Sequence, residues 1–193
     1  MSSADDARRE AVELVQARRC ELALPALERA RRDDAGDARL PLLAAECQIR
    51  LQRYADALTS LALVKRLDPR LPGTDLYLGI AHYHMGDLTA AARALEAARE
   101  TSPGRAEGDL YLGLVLLQRG QYREGAAALE SARRGDPSAV EPVASYYEAM
   151  AWVAAREPQR AQEAFRRVQE VAPGSDWAEA EIGRASCRER VSY

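Results

Sequence analysis

The segment Asp75-Leu76-Tyr77-Leu78-Gly79 recurs as Asp109-Leu110-Tyr111-Leu112-Gly113, 34 residues further on. Proline keeps the same step at Pro69, Pro103 and Pro137. A fixed period in this range marks an array of small stacked units, because one such unit cannot bury its own apolar face and must cover it with a neighbour.

Counting from this period divides the chain into five repeats, at about residues 4–37, 38–71, 72–105, 106–139 and 140–175. The last needs two extra residues before its first helix. Within the third repeat, apolar spacing predicts a helix over Leu76 to Met85, a turn at Gly86-Asp87 and a second helix over about Thr89 to Glu100. The eighth place is Ala11, Ala45, Gly79, Gly113 and Ala149; the twentieth is Ala23, Ala57, Ala91, Gly125 and Ala161. Side chains no larger than a methyl group at both places let two helix axes cross at close range. The twenty-fourth place is always large and apolar, as Leu27, Leu61, Leu95, Leu129 and Phe165. It is the knob that fills the space between them.

Small residues at places eight, twenty and twenty-seven, with proline at thirty-two, resemble the tetratricopeptide repeat. The resemblance covers residues 4 to about 175. It implies an all-α fold, a right-handed superhelical solenoid of antiparallel helix pairs. Some positions depart from the pattern. Ala35 stands where proline is expected, and Pro25 inside a second helix predicts that this helix starts late, near Leu22. Repeat five has Arg156-Glu157-Pro158 in place of a glycine turn. The aromatic place eleven holds Leu14, Gln48, His82, Leu116 and Trp152.

Beyond Pro173, Asp176 is suited to cap a further helix that would lay Trp177 over the last pair. From Glu181 to Val191 the residues read as the translation of a common short-read sequencing adapter, so residues 181–193 are expected to be a non-native tail and the natural chain to continue differently past Ala180.

The net charge is −3 and no basic block occurs, which gives phosphate backbones nothing to hold. The amino-terminal residues carry Asp5, Asp6, Arg8 and Arg9 without an apolar core, unlike a signal peptide, and no run approaches the ~18 apolar residues of a membrane span. A cytoplasmic protein is expected. Cys20, Cys47 and Cys187 have neither metal-site nor disulfide-framework spacing. His82 and His84, two apart on one helix, do not share a face, so no metal site is expected from them. Asp75 and Asp109 fit helix starts that offset the dipole. No Ser or Thr has a neighbouring His with an orienting acid. Neither catalysis nor a cofactor is expected.

The family resemblance implies that places two, five, nine, twelve and thirteen of each first helix line a concave groove. In repeat two these include Arg39, Leu42, Glu46 and Arg50. Repeat three supplies Leu76, Ile80, Tyr83 and His84; repeat four supplies Leu110, Leu114, Leu117 and Gln118; repeat five adds Tyr146 and Met150. Mixed charge thus gives way to apolar side chains along the chain. The Lys and Asn that clamp a terminal carboxylate in chaperone-tail-binding members of the family are absent: place five is Leu42, Leu76 and Leu110, and place nine is Glu46, Ile80 and Leu114. The expectation is a non-catalytic scaffold that binds a partner protein or peptide, with no nucleic acid and no membrane span. The alternative is the repeat portion of a larger enzyme or signalling protein.

Overall fold

The computed structural model describes residues 3–101 and 105–175, with side chains from residue 6 onward. No strand occurs among the described residues. They form two compact bodies that divide between Ser102 and Pro103. The first body holds three helix pairs: α1 (Ser3–Gln16) with α2 (Cys20–Asp33), α3 (Arg39–Arg50) with α4 (Tyr54–Leu67), and α5 (Thr74–His84) with α6 (Leu88–Thr101). The second holds α7 (Ala106–Gln118) with α8 (Tyr122–Gly135), a single turn α9 (Pro137–Val140), and α10 (Val143–Ala154) with α11 (Pro158–Val171).

All five helix pairs turn in the same way. The fifteenth place of each repeat has a left-handed backbone, with φ of 57° at Arg18, 59° at Gln52, 81° at Gly86, 76° at Gly120 and 60° at Arg156. The following N–H reaches back five residues to a carbonyl, as Arg19 to Leu14, Arg53 to Gln48 and Glu157 to Trp152. That bond satisfies a carbonyl the helix end would otherwise leave bare. Repeat five therefore makes the glycine turn without glycine. An L-residue here carries roughly 1–2 kcal/mol of strain, partly offset by the entropy that glycine loses on folding. Arg156→Gly is expected to raise stability by about 0.5 kcal/mol, read from urea denaturation.

The small places lie at the helix crossings. Ala11, Ala45, Ala149, Ala23, Ala57 and Ala91 are all 0% exposed. Gly79, Gly113 and Gly125 leave no room even for a methyl group: a Cβ on Gly113 would stand 2.5 Å from Leu129 Cγ and 3.1 Å from the Gly125 carbonyl oxygen. A Cβ on Gly79 would overlap Leu95 in the same way. The large residue at place twenty-four thus sits directly on the small one at place eight. Leu61, Leu95 and Leu129 are completely buried by this contact and its neighbours.

Three sequence expectations change. Pro25 lies inside α2, which starts at Cys20 rather than near Leu22. The helix there begins from the Arg19 carbonyl, which accepts the Leu22 and Ala23 N–H groups, so tertiary packing of Cys20 and Ala23 overrides the proline's missing donor. The helix stop at Ala35 needs no proline, because the Asp34 carboxylate accepts the Gly36 N–H at 3.2 Å and turns the chain. Asp109 is not a surface helix-start charge. It is buried, and the Ser131 hydroxyl donates to its Oδ2 at 2.6 Å, which ties α7 to α8. The two extra residues of repeat five fall in the α9 turn and the cis Glu141–Pro142 bond that follows it. The capping helix at Asp176 and Trp177 and the tail at 181–193 lie outside the described residues.

Candidate functional site

In the first body, α3 and α5 lie side by side. Four of the groove positions on them face outward to different extents. Arg39, Arg50 and His84 are exposed, while Tyr83 is half-buried. Arg50 Nη2 donates to Glu46 Oε1 at 2.8 Å, one turn earlier on the same helix face. Arg39 instead turns back to Asp37, at 2.9 Å from its Nε, so its charge serves the start of α3. Asp37 also meets Arg8 from α1. Burial alone would raise the Asp37 carboxyl, but the Arg39 hydrogen bonds and the two arginine charges outweigh it and hold the group below its ordinary range.

His84 stacks flat on Tyr54, with ring centroids 4.4 Å apart and planes inclined by 8°, and Tyr83 meets it edge-on at 5.2 Å. Burial pulls its imidazole below the usual histidine value, so the ring is neutral at pH 7. An aromatic cluster therefore closes one end of this face. The sequence reading missed Tyr54 because it opens a second helix, whereas the expected groove drew only on first helices.

Leu76 and Ile80 correct the expected lining: they are 2% and 1% exposed and closed off from any ligand. Leu42 packs against the core of Ala45, Ala57, Leu61 and Ala81, leaving only part of its surface to solvent. A position number gives the face of a helix but not how far neighbouring side chains cover it.

In the second body, α7 and α10 are neighbours. Gln118 is exposed and Leu114 half-buried. Leu117 leans onto Gly125, where its Cδ1 occupies the space of a missing side chain. Leu117, Tyr146 and Met150 flank the core built on Trp152 and Phe165. Leu110 flanks the one built on Ala132 and Ala144. This face is apolar and partly open: Gln118 is exposed, and Leu110, Leu114, Leu117, Tyr146 and Met150 are all half-buried.

The remaining chemistry-bearing residues are structural. Cys20 and Cys47 are buried in one core cluster. Burial and the neighbouring Cys20 push the Cys47 thiol far up, so it carries no thiolate at neutral pH. His82 is partly buried at its aromatic place, 4.0 Å from Asp87. Among the described residues no group of three His, Cys, Asp or Glu side chains could hold a metal ion, and no described helix is long and apolar enough to cross a membrane.

Comparison with known proteins agrees with this architecture. One family model of the tetratricopeptide repeat matches residues 76–140 and again 110–176, and a second matches residues 14–73. No curated protein matches the chain in sequence. Among solved structures, MamA (residues 41 to the end) from Desulfovibrio magneticus RS-1 superposes with a TM-score of 0.78 at 22% identity, over 91% of this chain and 98% of that one. TTC0263, a thermophilic TPR protein of Thermus thermophilus, superposes with a TM-score of 0.68 at 21% identity, over 96% of this chain and 100% of that one. YrrB, described as a TPR protein with an unusual peptide-binding site, gives 0.74 at 17% identity, over 94% of this chain and 98% of that one. With small residues at its helix crossings and its repeats matched over most of their length, the chain belongs to the tetratricopeptide repeat family.

Proposed function

We propose that the protein is a non-catalytic scaffold and that the first-helix face of each body takes up a segment of a partner protein. The observation that supports this most is the pairing of adjacent first helices, α3 with α5 and α7 with α10, beneath a partly open surface. In the first body that surface combines the Arg50–Glu46 pair with the Tyr83–His84–Tyr54 aromatic cluster. In the second it is apolar, around Leu114. Aromatic and aliphatic anchors supply most of the energy when a peptide is bound, and polar rim groups set its register. The peptide-binding site of YrrB, a protein of the same fold, is consistent with this use.

The test is capture of a partner from the source cells, followed by titration with the purified partner. Arg50→Ala with His84→Ala, and separately Leu114→Ala with Gln118→Ala, are each expected to weaken binding at least tenfold while helicity and melting stay near wild type. Unchanged affinity in both double variants would remove the assignment. Leu76→Ala and Ile80→Ala are not informative for this purpose, because truncating buried leucine or isoleucine costs about 2–5 kcal/mol of stability by itself.

A further inference from the structure

On the side formed by second helices, each body has grooves in which one second helix, the next first helix and the next second helix meet. The side chains at equivalent places decide whether such a groove is filled. Place twenty-eight is basic in four successive repeats, as Arg31, Lys65, Arg99 and Arg133. In the α4–α5–α6 groove, Lys65 crosses to Asp75 at place four, 2.7 Å away, and Leu78 stands at place seven. In the α8–α10–α11 groove, Arg133 approaches Glu148 at place seven, 3.5 Å away, and Arg167 donates to the same carboxylate at 2.6 Å. In both, a cation meets an acid of the next repeat.

The α2–α3–α4 groove lacks that acid. Places four and seven are Pro41 and Ala44, neither of which can pair with Arg31. Arg31 turns back to Glu28 on its own helix at 3.4 Å, and a groove of about 420 Å³ stays open. That volume is in the range of small-ligand sites. Its floor includes Leu24, Leu27, Leu40 and Leu63. The rim differs in charge from the other two grooves. Arg53 occupies the place that is Asp87, Gln121 and Glu157 in later repeats, and Arg66 the place that is Glu100, Arg134 and Glu170, so both are acids in the α4–α5–α6 and α8–α10–α11 grooves. Arg31, Arg53 and Arg66 with Glu28 border an apolar floor, Arg53 being paired with Asp56 at 2.7 Å on its outer side. Arg66 has no ion pair among the described residues.

We infer that the α2–α3–α4 groove binds an acidic–apolar segment of a partner protein, whose carboxylate takes the place that Asp75 and Glu148 occupy in the other two grooves. Apolar side chains of the segment cover the leucine floor, and Arg53 and Arg66 hold further acids at the rim. This site is on a different face from the first-helix surfaces and does not depend on them.

The test uses selection of random dodecapeptides on the full chain, followed by anisotropy titration of the enriched peptides. Two variants carry residues that the next repeat already holds at these places: Pro41→Asp with Ala44→Leu, and Arg66→Glu. Both are expected to fold, which melting checks. The expected result is enrichment of peptides with Asp or Glu beside Leu, Ile or Phe, binding each variant at least tenfold more weakly than wild type and losing affinity with added salt. Arg50→Ala and Leu114→Ala are expected to leave this binding unchanged. No enrichment, enrichment of peptides without acids, or equal binding to the variants would overturn the inference. Self-association of the wild type that the Pro41→Asp/Ala44→Leu variant abolishes would also overturn it, by giving the groove to a second copy.

Discussion

Gly113→Leu is expected to destabilise the second body by about 3 kcal/mol, the upper end of the usual cost of overpacking. Two effects oppose each other. Replacing a mid-helix glycine favours the helix by up to about 1 kcal/mol. Against that, the first added carbon meets Leu129 Cγ at 2.5 Å and the Gly125 carbonyl oxygen at 3.1 Å. A side chain can turn away, but a carbonyl oxygen in α8 moves only if the helix moves, so the clash dominates. Urea denaturation followed by circular dichroism measures the loss. Gly86→Ala, at a turn glycine with open space around it, is a useful contrast, because its cost comes from φ of 81° alone.

Glu148→Ala is the second large effect, expected at about 3 kcal/mol, since it removes one partner of a buried ion pair and leaves the other desolvated. Glu148 is 3% exposed; Arg167 and Arg133 both converge on it, and Ser145 beside it is fully buried with its hydroxyl donating to Glu141 at 2.8 Å. Burial raises the Glu148 carboxyl above its ordinary value, and the two arginines only partly counter this. The sign follows from linkage. A raised folded-state value means that this group's contribution is full below its ordinary value of 4.5 and declines as pH rises through the raised one. Gln copies the protonated form and keeps an acceptor for Arg167. Glu148→Gln is therefore expected to lose less than Glu148→Ala, and its stability relative to wild type is expected to improve as pH rises from 4.5 toward neutrality. Parallel melts at several pH values measure both.

The helix crossings were legible because the physical demand there is simple. A place that must hold nothing beyond a methyl group shows up as alanine or glycine in every repeat, and a leucine seated on it shows up four residues after the second small place. The turns were half legible. Gly86 and Gly120 announce a left-handed residue, but Arg18, Gln52 and Arg156 adopt the same φ because the surrounding helix ends impose it. Acidic residues were the least legible. Asp109 reads as a helix-start charge, and nothing in its own neighbourhood of the sequence, or in that of Glu148, reveals that residues on adjacent helices bury them. The expected groove failed at Leu76 and Ile80 for the same reason: helical spacing gives direction, and coverage depends on neighbours. The open α2–α3–α4 groove becomes visible only when equivalent places are compared after the fold has shown which of them meet.

What is open for binding and what is closed both follow from helix pairs seated on residues with no bulk. The Gly113–Leu129 contact tests this through a double-mutant cycle with Gly113→Ala and Leu129→Ala, in which stability is measured for all four forms. Gly113→Ala is expected to cost about 1–2 kcal/mol alone. With Leu129 already cut to alanine it is expected to cost clearly less, because the 2.5 Å contact is gone and only the Gly125 carbonyl oxygen at 3.1 Å still opposes the gain in helix propensity. An equal cost in both backgrounds would contradict the seating of Leu129 on Gly113, and with it the packing on which every surface described above depends.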